Sequence, residues 1–467
     1  MRDVFAAGDE EHRVQGALLQ GGAWFQSLTD YLSMFGYYLE LALRSLRRNK
    51  GLTALMVLAI ALGIGASMTT LTVLHVLSGD PLPGRSNTLY APQLDPRDMG
   101  DYQPVGEPPD QVTWIDGMNL LQAKRADRQA LMTGGSVAIQ PAQSALDPFY
   151  ETARYTTADF FPMFGVPFQY GHAWGIAEDG ASAAVVVISS KLNDKLFGGR
   201  DSTGRMLRLE GHAMRIIGVL GDWRPNPHFY DLNVKNYGGD EGVYLPLSTS
   251  QDLHLAHLGG DDCWGNGGGG ATTAHTAPCV WLQFWAQLDT PTKAAAYRQF
   301  LIHYSQEQKT LGRFLRPPNV RLRNLMQWLD YEQVVPGDVQ LQSWLALGFL
   351  VVCLVNTVGL MLAKFMRRAA ELGVRRALGA SRRALFSQLL VEAAVIGLAG
   401  GLGGLLLAYL GLWLVRRQPA DYASLAHLDG AMLVMTLVLA VGASLLAGVL
   451  PAWRACHITP GLQLRSN

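Results

Sequence analysis

From Leu52 to Leu77 the chain carries no Asp, Glu, Lys or Arg, and no other feature restricts its possible folds so strongly. At about 1.5 Å of rise per residue a helix of that length reaches about 39 Å, more than the roughly 30 Å hydrocarbon core of a bilayer. The run therefore predicts one tilted transmembrane helix over 51–78. Three further apolar runs predict spans at 339–363, 384–415 and 431–452. The stretch from Met1 to Gln20 is polar and has neither the short apolar core nor the cleavage site of a secretory signal, so the first span is expected to be retained. The expected fold class is a membrane protein with four transmembrane α-helices and, between the first two, one large extracytoplasmic domain over 79–338.

Basic residues orient the spans. Arg44, Arg47, Arg48 and Lys50 precede the first span. Lys364, Arg367, Arg368, Arg375, Arg376, Arg382 and Arg383 fill the link 364–383, and Arg454 and Arg465 lie in the tail 453–467. The positive-inside rule puts all three clusters, and both termini, on the cytoplasmic side. Arg416 and Arg417 in the short outer loop 416–430 oppose the rule and are outweighed. Over the whole chain Lys+Arg and Asp+Glu both number 38, so no net field argues for a nucleic-acid partner.

Ahead of the first span, 1–26 is a polar tail. The segment 27–50 then places Leu28, Leu32, Phe35, Leu39, Leu43 and Leu46 at spacings of three and four. That is an amphipathic helix with a basic end, suited to lie as an elbow in the lipid interface. The outer domain opens on a turn-rich stretch with Pro81, Pro83, Gly84, Pro92 and Pro96. Helices are expected over Thr113 to Arg128, Lys191 to Phe197 and Lys293 to Lys309. Strands are expected over Ala184 to Ser189, on both sides of the turn at Glu210-Gly211-His212 within Met206 to Leu220, and over Val280 to Leu288. Such mixed order predicts an α+β domain of two lobes.

Four cysteines divide by compartment: Cys263 and Cys279 outside, Cys353 within the second span, Cys456 on the cytoplasmic side. Only the outer pair meets an oxidising compartment. A disulfide there and two free thiols both remain open. His254, His257, Asp261, Asp262, Cys263, His275 and Cys279 gather zinc-ligand types, but their spacing matches no zinc site. A Gly-rich surface loop with incidental histidines accounts for them better, and no metal is assigned. No G-x-x-x-x-G-K-[ST], G-x-S-x-G or H-E-x-x-H motif occurs, so no catalytic residue is assigned.

The link between spans two and three reads RRAAELGVRRALGAS from Arg367 to Ser381. On one continuous helix Arg367, Glu371 and Arg375 would stand at i, i+4 and i+8, with one carboxylate between two guanidinium groups. A solvated basic face explains the charge but not the ordered LGVRRALGAS. Within the spans, Ala59/Gly63 and Ala61/Gly65 have small-xxx-small spacing for close helix packing. Asn356 is placed to hydrogen-bond across helices, and Glu392, about 10 Å inside the third span, needs a partner.

The link resembles the MacB/FtsX-type ABC transporter permeases, whose corresponding segment reads E-[IL]-G-[IV]-R-x-A-[LI]-G-A. Glu371, Leu372, Gly373, Val374, Arg375, Ala377, Leu378, Gly379 and Ala380 match in order. The likeness extends to RSLRRNKG before the first span, Asn356, Glu392 followed by Gly400, Gly401, Gly403 and Gly404, and PAWRACHITPGLQLR at the end. In the outer domain ADFFPMFGVPFQYG, VVVISSKLNDKLFG, IIGVLGD and VYLPLS are similar to a MacB-like periplasmic core. This resemblance implies a non-catalytic permease of a bacterial inner membrane that transmits ATP-driven motion to a periplasmic domain, for export of a peptide or small molecule. It makes Arg367, Glu371 to Ala380 and Ser381 the ATPase-coupling segment, Arg376 included. With Gly63 and Gly65, expected from their spacing, Asn356, Glu392, Gly400 and Gly404 are the expected packing positions. The resemblance also implies a separate ABC ATPase binding ATP and Mg, no cofactor in this chain, a second permease either identical or homologous, and a periplasmic adaptor with an outer-membrane channel. The same architecture accommodates a signalling subunit that activates a cell-wall hydrolase or reports antibiotics, or one that extracts lipoproteins.

Overall fold

The computed structural model describes residues 36–141, 146–234, 236–237, 241–265, 273–418, 423–428 and 430–457. The polar tail, positions 27–35 of the expected elbow, Gly267 to Gly270 and the C-terminal residues from 458 lie outside the described residues. In chain order, helix α1 (36–48) and helix α2 (Lys50–Leu77) come first. Strand β1 (Leu89–Gln93), α3 (Trp114–Ala123), β2 (Arg128–Gln140), β3 (Phe149–Thr156), α4 (Phe160–Phe164) and β4 (Phe168–Gly171) follow. Then come α5 (Ile176–Gly180), β5 (Val185–Ile188), α6 (Ser190–Phe197), β6 (Met206–Leu209), β7 (His212–Leu220), β8 (Val243–Pro246) and α7 (Leu247–Asp252). Short strands β9 (His257–Leu258), β10 (Asp262–Cys263) and β11 (Cys279–Val280) precede β12 (Gln283–Gln287), α8 (Pro291–Thr310), β13 (Arg321–Asn324) and α9 (Leu325–Tyr331). Helices α10 (Gly337–Arg367), α11 (Ala369–Ala377), α12 (Arg382–Val415) and α13 (Gly430–His457) close the described chain.

These elements form two compact units, a helical one and a large domain built on Leu77–Pro336. In the helical unit α2, α10, α12 and Met432–Cys456 of α13 are long and apolar enough to cross a membrane. Several outrun the expected spans, because helical hydrogen bonding continues from the apolar stretch into the charged ends. Met56, Ile60, Ile64 and Met68 of α2 pack with Leu350, Met361, Leu389, Ile396 and Ala440 in one buried core. A Cβ on Gly65 would fall 2.6 Å from that of Leu407, and one on Gly400 or Gly404 would strike Ile60 or Ile64, so α2 and α12 meet through glycines. Gly63 turns instead to Leu350 and Cys353 of α10. Lipid is as apolar as the helix surfaces, so close contact of this kind holds the bundle.

Asn356 departs from expectation. It lies exposed on α10, and no hydrogen bond among the described residues involves it. The hydrogen bond between α2 and α10 is made instead by Ser67, whose hydroxyl donates to the Ala346 carbonyl at 3.0 Å.

The large domain is threaded by one sheet in the order β13-β1-β12-β2-β3-β8-β5-β7-β4, antiparallel except where β3 meets β8 and β5 meets β7. Val137, Ile139, Tyr155, Val186, Ile188, Ile216, Trp281, Phe284 and Leu301 share its buried core. Helix α3 is shorter than expected. Thr113 caps it by accepting from the Asp116 amide at 3.0 Å, Lys124 turns left-handed at φ +48°, and Arg128 already belongs to β2. The expected strand Val280 to Leu288 divides into β11 and β12, with Leu282 bridging to Val112. Strands β2 and β3 leave little trace in the sequence, since Gly134-Gly135 interrupts the alternation of β2. The glycine is needed: a Cβ on Gly135 would fall 2.2 Å from the Tyr155 ring.

Candidate functional site

At Arg367 α10 ends, Arg368 leaves helical geometry at φ −103°, ψ 9°, and α11 restarts at Ala369. That interruption shifts the phase of everything after it. Arg368, not Arg367, therefore faces Glu371, at 3.3 Å, while Arg375 approaches from one turn on at 3.2 Å. Arg48 of α1 completes the group at 3.6 Å, and Arg367 is exposed. The hydrogen bond from Arg368, with the nearby charges of Arg375 and Arg48, holds the Glu371 carboxyl below its ordinary range despite partial burial.

A second carboxylate lies deeper. Glu392 of α12 is 1% exposed, ion-pairs with the fully buried Lys364 of α10, and lies 3.2 Å from Arg368. Ser45 of α1 donates to it at 2.6 Å and accepts from Arg368 at 2.6 Å. Arg368 thus touches both carboxylates, and α1, α10, α11 and α12 are tied by one chain of charge. Inside apolar surroundings such charges persist only when paired and hydrogen-bonded.

The rest of α11 divides into two faces. Leu372 is buried in the helical core, Arg375 also donates to the Gln388 side chain at 3.1 Å, and Arg376 donates to the Cys456 carbonyl at 3.3 Å. Gly373 and Ala380 are half-buried. Val374, Ala377, Leu378 and Gly379 point outward, with Val374 58% and Leu378 83% exposed. Positions 374, 377 and 378 share one helical face, so the exposed surface of α11 is apolar and its bonded surface is charged. Gly379 at φ +102° turns the chain, and Ser381 caps α12 by accepting from the Ala384 amide at 3.2 Å. Of this constellation, sequence reasoning misses Ser45, Lys364, Arg368 and Gln388. Lys364 and Arg368 stand among the basic residues of the link, but nothing in their spacing marks Glu392 as their partner.

A separate buried charge group belongs to the large domain. Arg154 of β3 pairs with Asp231 and, at 2.6 Å, with Glu241. Tyr230 donates to Glu241 at 2.7 Å, and His228 lies 3.0 Å from it. Gln283 donates to Asp231 at 3.0 Å. Burial opposes ionisation of Glu241, yet His228 and Arg154 outweigh it and hold the carboxyl far below its usual range.

Cys263 and Cys279 are joined in a disulfide across the β10–β11 pair. His254, His257 and His275 line an open cleft with Asp252, but His257 is engaged by Asp261 at 2.6 Å and His275 stacks on Trp114 at 4.0 Å. Among the described residues no three His, Cys, Asp or Glu side chains converge to hold a metal ion.

Comparison with known proteins adds two family matches. The MacB-like periplasmic core domain matches residues 53–299, and the FtsX-like permease C-terminal region matches residues 344–460. Pyoverdine export ATP-binding/permease protein PvdT of Pseudomonas entomophila is 23% identical over 476 aligned residues, covering 99% of this chain and 63% of the relative. Macrolide export ATP-binding/permease protein MacB 1/2 of Paracoccus denitrificans is 26% identical over 309 residues, covering 64% of this chain and 40% of the relative. The chain thus spans only part of the length of these curated relatives. Among solved structures, the periplasmic region of MacB from Actinobacillus actinomycetemcomitans aligns with 54% of this chain and 95% of its own at 13% identity and a TM-score of 0.35.

Proposed function

The chain belongs to the MacB/FtsX-type permeases of ABC transporters, and we propose that it couples ATP use by an ATPase partner to movement of its large domain. In this reading α11 docks on the ATPase, and the spans carry its displacement through the membrane. Two permeases work together, and a peptide or small molecule is moved out of the cell. The basic residues gathered around α11, Arg48, Lys364, Arg367, Arg368, Arg375, Arg376, Arg382 and Arg383, favour a cytoplasmic position for that end of the bundle. The large domain then lies on the periplasmic side of a bacterial inner membrane, where an adaptor and outer-membrane channel would receive the cargo. Relatives named as export proteins support the direction of transport.

One observation carries the proposal. Helix α11 offers Val374, Ala377 and Leu378 outward while Glu371, Leu372, Arg375 and Arg376 fasten its other face to the bundle. A helix free on one face and fastened on the other cannot be displaced by a partner without displacing the spans. ATP and Mg are assigned to the ATPase partner, since these 467 residues hold no phosphate-cradling G-x-x-x-x-G-K-[ST] loop. Affinity purification of the full chain from native membranes in mild detergent tests the reading. An ABC ATPase is expected to co-purify with ATP turnover; a chain recovered repeatedly without one overturns it.

A further inference from the structure

Helix α9 ends at Tyr331, and residues 332–336 lead the chain on to α10 at Gly337. Within that lead the Val334 amide donates to the Leu329 carbonyl at 3.1 Å, and the Val334 carbonyl accepts from the Tyr237 hydroxyl at 2.7 Å. Its one titratable side chain, Glu332, is hydrogen-bonded to Asp110. Two carboxyl groups in a hydrogen bond need a proton between them, because neither anion can donate. The surrounding donors decide which acid keeps it. Asp110 accepts from Gln93 of β1 at 2.9 Å and from Tyr331, and both bonds favour its anion. The Glu332 Oε1 is buried and receives no hydrogen bond among the described residues. Arg323 of β13 lends both acids its charge, but its guanidinium is committed to Glu107 at 2.9 Å and to the Gln93 side chain, and lies over the Tyr331 ring. Arg321 pairs with Glu107 at 3.1 Å, and Asp330 of α9 is exposed. No ion pair among the described residues therefore neutralises the two acids, and the proton stays on Glu332.

We propose that Asp110 and Glu332 form a proton-operated clasp on the lead into α10, closed while one proton bridges the two acids and open when both are ionised. Opening releases that proton to solvent and leaves two like charges facing each other, which drives Glu332 away from Asp110. Because α9 passes into the lead at Glu332, the clasp sets how firmly the large domain holds the chain just before α10. The consequence rests on the reading of the chain as a permease and adds a regulator to it: the proton concentration on the side of the large domain governs how much of the displacement of the spans reaches that domain.

Amide hydrogen exchange in the full chain in lipid vesicles, corrected for the intrinsic pH dependence of exchange, reads the clasp directly. In the open form Glu332 titrates at its ordinary 4.5, so opening grows as pH rises toward about 7 and levels off above it. The amides of Glu332, Gln333 and Val334 are expected to be protected at least about tenfold more at about pH 5 than at about pH 8. Glu332→Gln, whose amide donates to Asp110 without titrating, is expected to stay protected at both, and Glu332→Ala to be open at both. Equal protection of the unaltered chain at the two pH values, or a contrast that survives Glu332→Gln, overturns the clasp and leaves the permease reading standing. Protection restored at about pH 8 by calcium overturns the proton as the bridge and makes the two acids a cation site. With the ATPase partner present and pH varied only on the side of the large domain, the ATP-driven gain in protease protection of that domain is expected to be about threefold larger at the lower pH, and equal at both in Glu332→Gln. An equal gain at both in the unaltered chain overturns the regulation. An exchange contrast without any ATP-driven gain overturns the permease reading and leaves the clasp.

Discussion

Arg154 in the large domain and Arg368 in the helical unit each sit between two carboxylates, but they are enclosed very differently. Arg154 and its partners Asp231 and Glu241 are all sealed from solvent, and Tyr230, Tyr244 and Gln283 satisfy the remaining acceptor positions. Around Arg368 the charges form a gradient: Glu392 is buried, Arg368 nearly so, and the Glu371 side chain is 34% exposed. A sealed group that pins the β7–β8 connection to the sheet fixes a shape. A graded group that runs from an outward helix to the inside of a span can pass a displacement along, because each member is held by an element different from the next.

Substitutions can break that contrast. Arg154→Ala leaves two carboxylates buried and uncompensated, and is expected to cost about 3–5 kcal/mol. Thermal unfolding of the full chain, followed by protease resistance of the large domain, should show the loss. Glu392→Ala strands Lys364, and is expected to cost about 3 kcal/mol, less than Arg154→Ala because Arg368 can turn toward Glu371. The double exchange Glu392→Lys with Lys364→Glu should recover much of it in a thermal aggregation assay. Arg368→Gln is expected to cost only about 1 kcal/mol, yet to leave ATPase binding and ATP turnover intact while the ATP-driven change in protease protection of the large domain disappears. Parallel loss of stability and coupling would make Arg368 a scaffold like Arg154.

The smallest expected effect is a pH slope in the large domain. Burial, with the charge of neighbouring Asp110, pushes the Glu332 carboxyl up to about 7 from an ordinary 4.5. The folded domain then keeps a proton that the unfolded chain has already lost, so this group's stabilisation is present below about pH 4.5 and is lost as pH rises toward 7. Glu241, held low, acts in the opposite sense: its contribution is present above its ordinary value and is lost as pH falls. Melting curves between pH 5 and 8 should slope downward in the unaltered chain, and Glu332→Gln should make the slope shallower, leaving the part due to Asp179, whose carboxyl burial pushes up to about 6.

Much of this organisation was legible in the sequence, for identifiable reasons. The spans show in composition because hydrocarbon tolerates so few charges, and Gly65, Gly400 and Gly404 announce close helix contacts that α2 and α12 make. The coupling segment is visible as an ordered motif. Its two faces are not, because the interruption at Arg368 resets the helical phase and exchanges Arg368 for Arg367 beside Glu371. Ser45, Lys364 and Glu392 are joined only by tertiary packing, with Ser45 and Glu392 347 residues apart. The same holds for Arg154, which lies 77 and 87 residues from its partners. Asn356 differs for the opposite reason: an amide within a span is expected to bond across helices, but Ser67 makes that bond and Asn356 lies exposed.

In the proposed mechanism the outward face of α11 meets the ATPase. Val374 and Leu378 are exposed and take no part in the charged network, so Val374→Asp with Leu378→Asp should leave the fold unchanged. Quantitative co-purification of the ATPase with this double variant measures that contact. At least a tenfold loss of bound ATPase is expected at unchanged melting temperature; retention at the unaltered stoichiometry would place the ATPase on another surface.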